Sequence, residues 1–294
     1  MNPLVVVSPA QVLNLSEPFD FNPYAHRFLA EGDSWFSLGT LNLAKSSNLL
    51  HEMSFSAWSC AVNCANSGEG LSRLVERNRD RQFTTLLASK SAWPWDGLLL
   101  SGGGNDLLFA LKSRPTGEGL PNERRLLLTH PEWGDPLLGA DRYISEPGWS
   151  RFAGYIRANL DDLIALRDSG PSAGRPIFMH TYAYMTPRFA PALPGTQAWI
   201  APALHDFGIP QGDWTAVGHT LLGRLADLLL SCADDQRRYP NLHVFDTTQV
   251  PLMPASTLST SESGDWMNET HLNWRGYEKL AQSWARGIEA VLAR

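Results

Sequence analysis

Four short clusters carry residue types suited to acyl chemistry. Ser34 stands in Glu31-Gly32-Asp33-Ser34-Trp35, directly after an apolar run, where Gly32 permits a tight turn. A serine there can attack a carbonyl if a base stands nearby to take its proton. His271 closes Asp265-Trp266-Met267-Asn268-Glu269-Thr270-His271, just before the last helical pattern. From that loop it could reach Ser34 as general base, with a carboxylate close in sequence orienting its other ring nitrogen. Between these lie Ala65-Asn66-Ser67-Gly68-Glu69-Gly70 and Ser101-Gly102-Gly103-Gly104-Asn105-Asp106. A glycine at a helix N-terminus can present its N–H to a developing oxyanion, and the Asn105 amide can donate to the same oxygen. Taken singly, each cluster has a commoner meaning: a turn serine, a strand-to-helix turn or a surface histidine.

Other chemistries find less support. The glycine run lacks the Gly-Lys-Ser/Thr of a phosphate cradle and the strand, helix and acidic spacing of a dinucleotide site. Gly170-Pro171-Ser172-Ala173-Gly174 matches a nucleophile elbow, with Asp246 and His271 following in order. An elbow needs a strand before it and a helix after, and here the order is reversed, so a plain loop is expected. His26, His51, His130, His180, His205, His219 and His243 show no metal-ligand pairing, and no cysteine cluster joins them. His180, at a strand end, is expected to be a structural histidine bordering the pocket.

The elements that must position these clusters alternate. Apolar runs at Arg27–Glu31, Ser54–Ala61, Gly97–Ser101, Pro176–His180 and Leu242–Asp246 predict buried strands. A helix over about Thr215–Arg237 lines up Val217, Leu221, Leu225, Leu228, Leu229 and Cys232. The last helix lines up Tyr277, Leu280, Trp284, Ile288 and Val291. This alternation predicts a parallel sheet between helices, with ligands beyond the carboxyl ends of the strands. Two stretches rich in Pro, Gly and aromatics, about 114–150 and 183–214, break the pattern and are expected to form lid or pocket insertions in a single domain spanning 1–294. Their Trp133, Trp149, Tyr182, Tyr184, Phe189, Trp199 and Trp214 are the candidates for lining the substrate pocket.

Composition narrows the class. At 43% hydrophobic and 18% charged residues the chain fits a folded globular protein. A formal charge of -6, with Lys and Arg scattered, sets nucleic acid aside. Cys60, Cys64 and Cys232 suggest no disulfide framework: on a strand the first two would lie roughly 13 Å apart. Met1–Leu15 lacks the positive region of a signal peptide, and the most apolar helix, around Leu221–Cys232, is interrupted by Arg224 and Asp227. A cytoplasmic protein is therefore the default expectation, although signal-independent export would leave no such trace.

In order and strand context the four clusters resemble the blocks of the SGNH (GDSL-like) hydrolases, over nearly the whole chain. Gly32-Asp33-Ser34 looks like the first block, Ser67-Gly68-Glu69 the second, Gly103-Gly104-Asn105-Asp106 the third, and the loop ending in His271 the last. The resemblance implies a three-layer α/β/α sandwich with a five-stranded parallel, flavodoxin-like sheet, and no cofactor. It implies Ser34 as nucleophile, His271 as base, and an oxyanion hole from the Ser34 and Gly68 N–H groups with the Asn105 side chain. The family's usual acid lies three residues before the histidine, where this chain has Asn268. Asp265, Glu269 or a backbone carbonyl are the alternatives, and Asp265 is the expected partner because Glu269 would need a tight local bend. The implied activity is hydrolysis of a small-molecule, lipid or carbohydrate ester or a thioester through an acyl-enzyme. The rivals are an acyltransferase and a non-hydrolytic binding module on the same fold.

Overall fold

The computed structural model describes residues 1–14, 16–17, 19–37, 47–75, 81–90, 92–112, 121–193 and 195–293. In chain order its strands are β1 (Asn2–Pro3), β2 (Val5–Val7), β3 (His26–Gly32), β4 (Ser54–Phe55), β5 (Ser59–Asn63), β6 (Gly97–Ser101), β7 (Ile177–His180) and β8 (Leu242–Phe245). The helices are α1 (Pro9–Val12), α2 (Ser34–Ser37), α3 (Leu71–Val75), α4 (Arg81–Ala88), α5 (Gly104–Leu111), α6 (Glu146–Asp168), α7 (Ala201–Asp206), α8 (Trp214–Asp234) and α9 (Trp274–Leu292).

Six strands form one parallel sheet in the order β2-β5-β3-β6-β7-β8. Successive residues of β6 and β7 are all buried, so side chains on both faces are covered, which is why these strands are continuous apolar runs without alternation. Helices supply the cover. The predicted apolar stripes of α8 and α9 are buried from Val217 to Cys232 and from Tyr277 to Ile288, and join side chains of every central strand in one hydrophobic cluster. From β3 the chain crosses to β5 on one side and then to β6 on the other. That reversal opens a crevice at the carboxyl end of β3, where Ser34 follows.

The sheet departs from the five-strand expectation in two places. β2 is a sixth strand, pairing in parallel with β5; three residues are too few to show a period. The stretch Ser54–Ala61 is two elements, for Ser54 and Phe55 pair antiparallel with Pro3 and Asn2 before the chain turns past the exposed Trp58 and joins the sheet at Ser59. The Gly170–Gly174 loop lies between α6 and β7, at the opposite end of the sheet from Ser34. Its Ser172 is buried and accepts the Trp95 N–H at 3.0 Å, a structural role. Among the described residues no helix is long and apolar enough to cross a membrane.

Candidate active site

Strand β3 delivers Ser34 through close backbone packing. A Cβ on Gly32 would sit 2.5 Å from the Ser101 carbonyl oxygen, so only glycine lets β3 end so near β6. The Asp33 N–H then donates to that same carbonyl, and Ser34 opens α2. As a first-turn residue Ser34 has an N–H without an intrahelical acceptor.

The loop before α9 brings His271 to Ser34. His271 Nε2 lies 2.8 Å from Ser34 Oγ, and its Nδ1 lies 3.0 Å from Asn268 Oδ1. The same Oδ1 accepts the backbone N–H groups of Thr270 (3.0 Å) and His271 (2.9 Å), so the amide must present its oxygen to the ring. Nδ1 therefore carries the proton and donates, which leaves the Nε2 lone pair to accept the Ser34 hydroxyl proton. Trp35 Nε1 donates to the Thr270 carbonyl, tying the nucleophile turn to the histidine loop. Burial, with no carboxylate to offset it, pushes the His271 pKa down to about 4.

The expected acid partner needs correction. Asp265 does not face His271: its carboxylate accepts the Met253 N–H at 2.7 Å and pairs with Lys279 of α9 at 2.6 Å. Bridges from Trp266 to Ser263 and to Leu272 fold the loop so that Asn268, three residues before the histidine, meets the ring. Glu269 is also engaged elsewhere, by backbone N–H groups of Arg188 and of residues 199–201.

The remaining predicted residues gather around the pair. Gly68, at a φ of 81° that suits glycine, and Asn105, in the first turn of α5, line a cavity of about 200 Å³ with Ser34 and His271. Asn105 Nδ2 donates to the Glu69 carbonyl at 2.9 Å, which fixes the amide plane and leaves its second hydrogen available. Leu108, Met185, Ala192 and Trp199 give the cavity apolar walls. Leu108 was discoverable, being one turn on from Asn105 on the same helix face, whereas Met185 and Ala192 carry no local signal.

Of the predicted pocket aromatics, Tyr182 and Trp199 reach this cavity. The others meet protein side chains away from it: Trp133 donates to Leu128 and meets Tyr143, Trp149 meets Phe152 of α6, Tyr184 meets His219 of α8, and Phe189 meets Trp214. The described part of 114–150 supplies no wall residue to the cavity; residues 114–120 of that stretch, and residue 194 of the other, lie outside the described residues. His180 is fully buried, with Nε2 3.0 Å from Ser101 Oγ. Ser101 in turn donates to Asp33 (2.8 Å), which also takes the Tyr182 hydroxyl at 2.5 Å. Among the described residues no group of His, Cys, Asp and Glu is placed to hold a metal ion.

No family model matches the chain, and no curated protein matches it significantly. Its fold is similar to that of solved hydrolases. An extracellular lipase from Streptomyces rimosus shares 15% identity over 90% of this chain and 99% of its own, with a TM-score of 0.49. A carbohydrate acetylesterase from Sinorhizobium meliloti and an aryl esterase from M. smegmatis each share 12% identity over the same proportions, with TM-scores of 0.47. The fold itself is α/β, a six-stranded parallel sheet flanked by helices, with the Ser34, Gly68 and Asn105 clusters following the carboxyl ends of β3, β5 and β6.

Proposed function

We propose that the chain is a serine esterase of the SGNH type, acting on small carboxylic esters with a short acyl group. The observation that carries this is the 2.8 Å contact between Ser34 Oγ and His271 Nε2 at the wall of an accessible cavity. Ser34 Oγ attacks the ester carbonyl while its proton passes to Nε2, and the carbonyl π electrons move to oxygen. The N–H groups of Ser34 and Gly68 and the Asn105 amide receive that oxyanion. The intermediate collapses, the C–O bond to the alcohol breaks, and the imidazolium returns the proton to the leaving oxygen. Water then repeats the sequence on the acyl-enzyme, releasing the acid and regenerating Ser34.

Asn268 gives this site a particular character. Its amide oxygen holds the tautomer but carries no charge to stabilise the imidazolium, so the base is weak and stays unprotonated in mildly acidic solution. The acyl side is short because the cavity, near 200 Å³, is smaller than the roughly 300–1,000 Å³ of ordinary ligand pockets, and Leu108, Met185 and Trp199 close it.

A panel of p-nitrophenyl esters from acetate to dodecanoate tests the reading, with Ser34→Ala checked for folding by circular dichroism. Turnover confined to the shorter esters and absent in the folded variant is expected. Equal rates from both proteins, together with no reaction of wild type with a fluorophosphonate, would favour a binding module on this fold.

A further inference from the structure

Two buried charges that the reaction does not use join the segment 183–214 to the loop carrying the base. Glu269 is fully buried two residues before His271 and accepts the backbone N–H groups of Arg188 (3.0 Å), Ile200 (2.8 Å), Ala201 (2.8 Å) and Trp199. Its own N–H donates to the Ala190 carbonyl at 2.9 Å. In the opposite direction, the buried Arg188 guanidinium donates to the carbonyls of Asn268 (2.7 Å), Ser259 (2.8 Å) and Ser261 (2.5 Å). Each segment thus lends the other a charge, and each charge is spent on backbone.

Burying a carboxylate is costly, and burial pushes the Glu269 pKa up against the four N–H groups that pull it down. Apolar packing could hold two segments together without that cost, but it would not orient three successive N–H groups. Glu269 does so at 199–201, which leaves the backbone at Trp199 a single orientation. The outcome is visible at the cavity: the Trp199 indole stands edge-on to the His271 ring, centroids 5.4 Å apart at 79°, and closes the wall beside Ala192.

We propose that Glu269 is a positioning residue for substrate selection, holding Trp199 as the wall that limits acyl length. The proposal rests on the esterase reading. A glutamine at 269 has one acceptor oxygen and turns an NH2 toward N–H donors, so the clasp opens without a change of size.

The test compares kcat/KM for p-nitrophenyl acetate and octanoate in wild type, Glu269→Gln, Trp199→Ala and the double variant, with hydrogen exchange of the 199–201 amides. The acetate-to-octanoate preference is expected to fall by roughly tenfold or more in each single variant, mainly through KM for octanoate, and no further in the double. An unchanged preference in Glu269→Gln, or additive losses in the double, would overturn the proposal. If Glu269→Gln does not fold, Trp199→Ala alone decides: a retained preference overturns the wall. Hydrogen exchange separates this proposal from the reading beneath it. Faster exchange at 199–201 in Glu269→Gln, with no ester turned over by wild type, would sink the esterase and keep the clasp. Unchanged exchange with normal turnover would sink the clasp alone.

Discussion

Among the described residues two serine–histidine sets stand out, and the one that includes an aspartate is the one sealed from solvent. Ser101, His180 and Asp33 form a buried Ser-His-Asp constellation beneath the nucleophile turn, whereas Ser34, His271 and Asn268 form a Ser-His-Asn set at a cavity. Their polarity is opposite. Ser101 gives its proton to Asp33, and His180 Nδ1 accepts the Tyr182 N–H, so Nε2 must be the protonated nitrogen and donates to Ser101. That histidine cannot take a proton from its serine. In the outer set Asn268 accepts from Nδ1, which frees Nε2 to be a base. The partner of Nδ1, rather than the residue types, decides which pair can do chemistry. Access decides the rest, since both Ser101 and His180 are 0% exposed.

The comparison breaks most sharply at the bases. His271→Ala is expected to lower kcat/KM by ~10⁴-fold or more, measured on a short p-nitrophenyl ester. Ser101→Ala should keep turnover and Ser34 labelling while thermal unfolding shows a loss of ~1–3 kcal/mol from the buried Asp33 left short of a donor. A comparable activity loss in both variants would erase the distinction. Next, Asn105→Ala should cost about 10²–10³ in kcat with little change in KM, the mark of an oxyanion donor.

The Nδ1 partner can be tuned directly. With the imidazole held near a pKa of about 4, kcat/KM of wild type should stay flat from neutral pH down to about 5 and fall only as His271 protonates. Asn268→Asp places a carboxylate against Nδ1, favours the imidazolium and should move that acid limb up by roughly 1–3 pH units, with faster turnover at neutral pH. An unmoved limb would show that position 268 does not govern the base. The smallest effect belongs to Asp265→Asn. It loosens the tie to Lys279 and Met253 at a cost of ~1 kcal/mol in thermal stability, and leaves the pH profile where it was.

Much of this was legible in the chain because the relevant signals are local. Buried parallel strands are apolar runs, α8 and α9 show their stripes, Gly32 marks where β3 approaches β6 closely, and Gly68 and Gly103 mark turns at positive φ. What was not legible depends on loop folding. Position 268 is marked by its place three residues before the histidine, but an amide there turns the expectation to Asp265, which the loop folded by the Trp266 bridges sends to Lys279 instead. The sixth strand was too short to announce itself, and the duty of Glu269 involves residues about 70 to 80 positions away. The pocket aromatics show the same limit, since an aromatic-rich insertion looks alike whether its rings face a ligand or one another.

The most direct measurement is mass mapping of the adduct formed when the folded protein is treated with a fluorophosphonate. A single adduct on the peptide containing Ser34, absent from His271→Ala, is expected. No adduct, or one on a different serine, would contradict the assignment of Ser34 as the activated nucleophile.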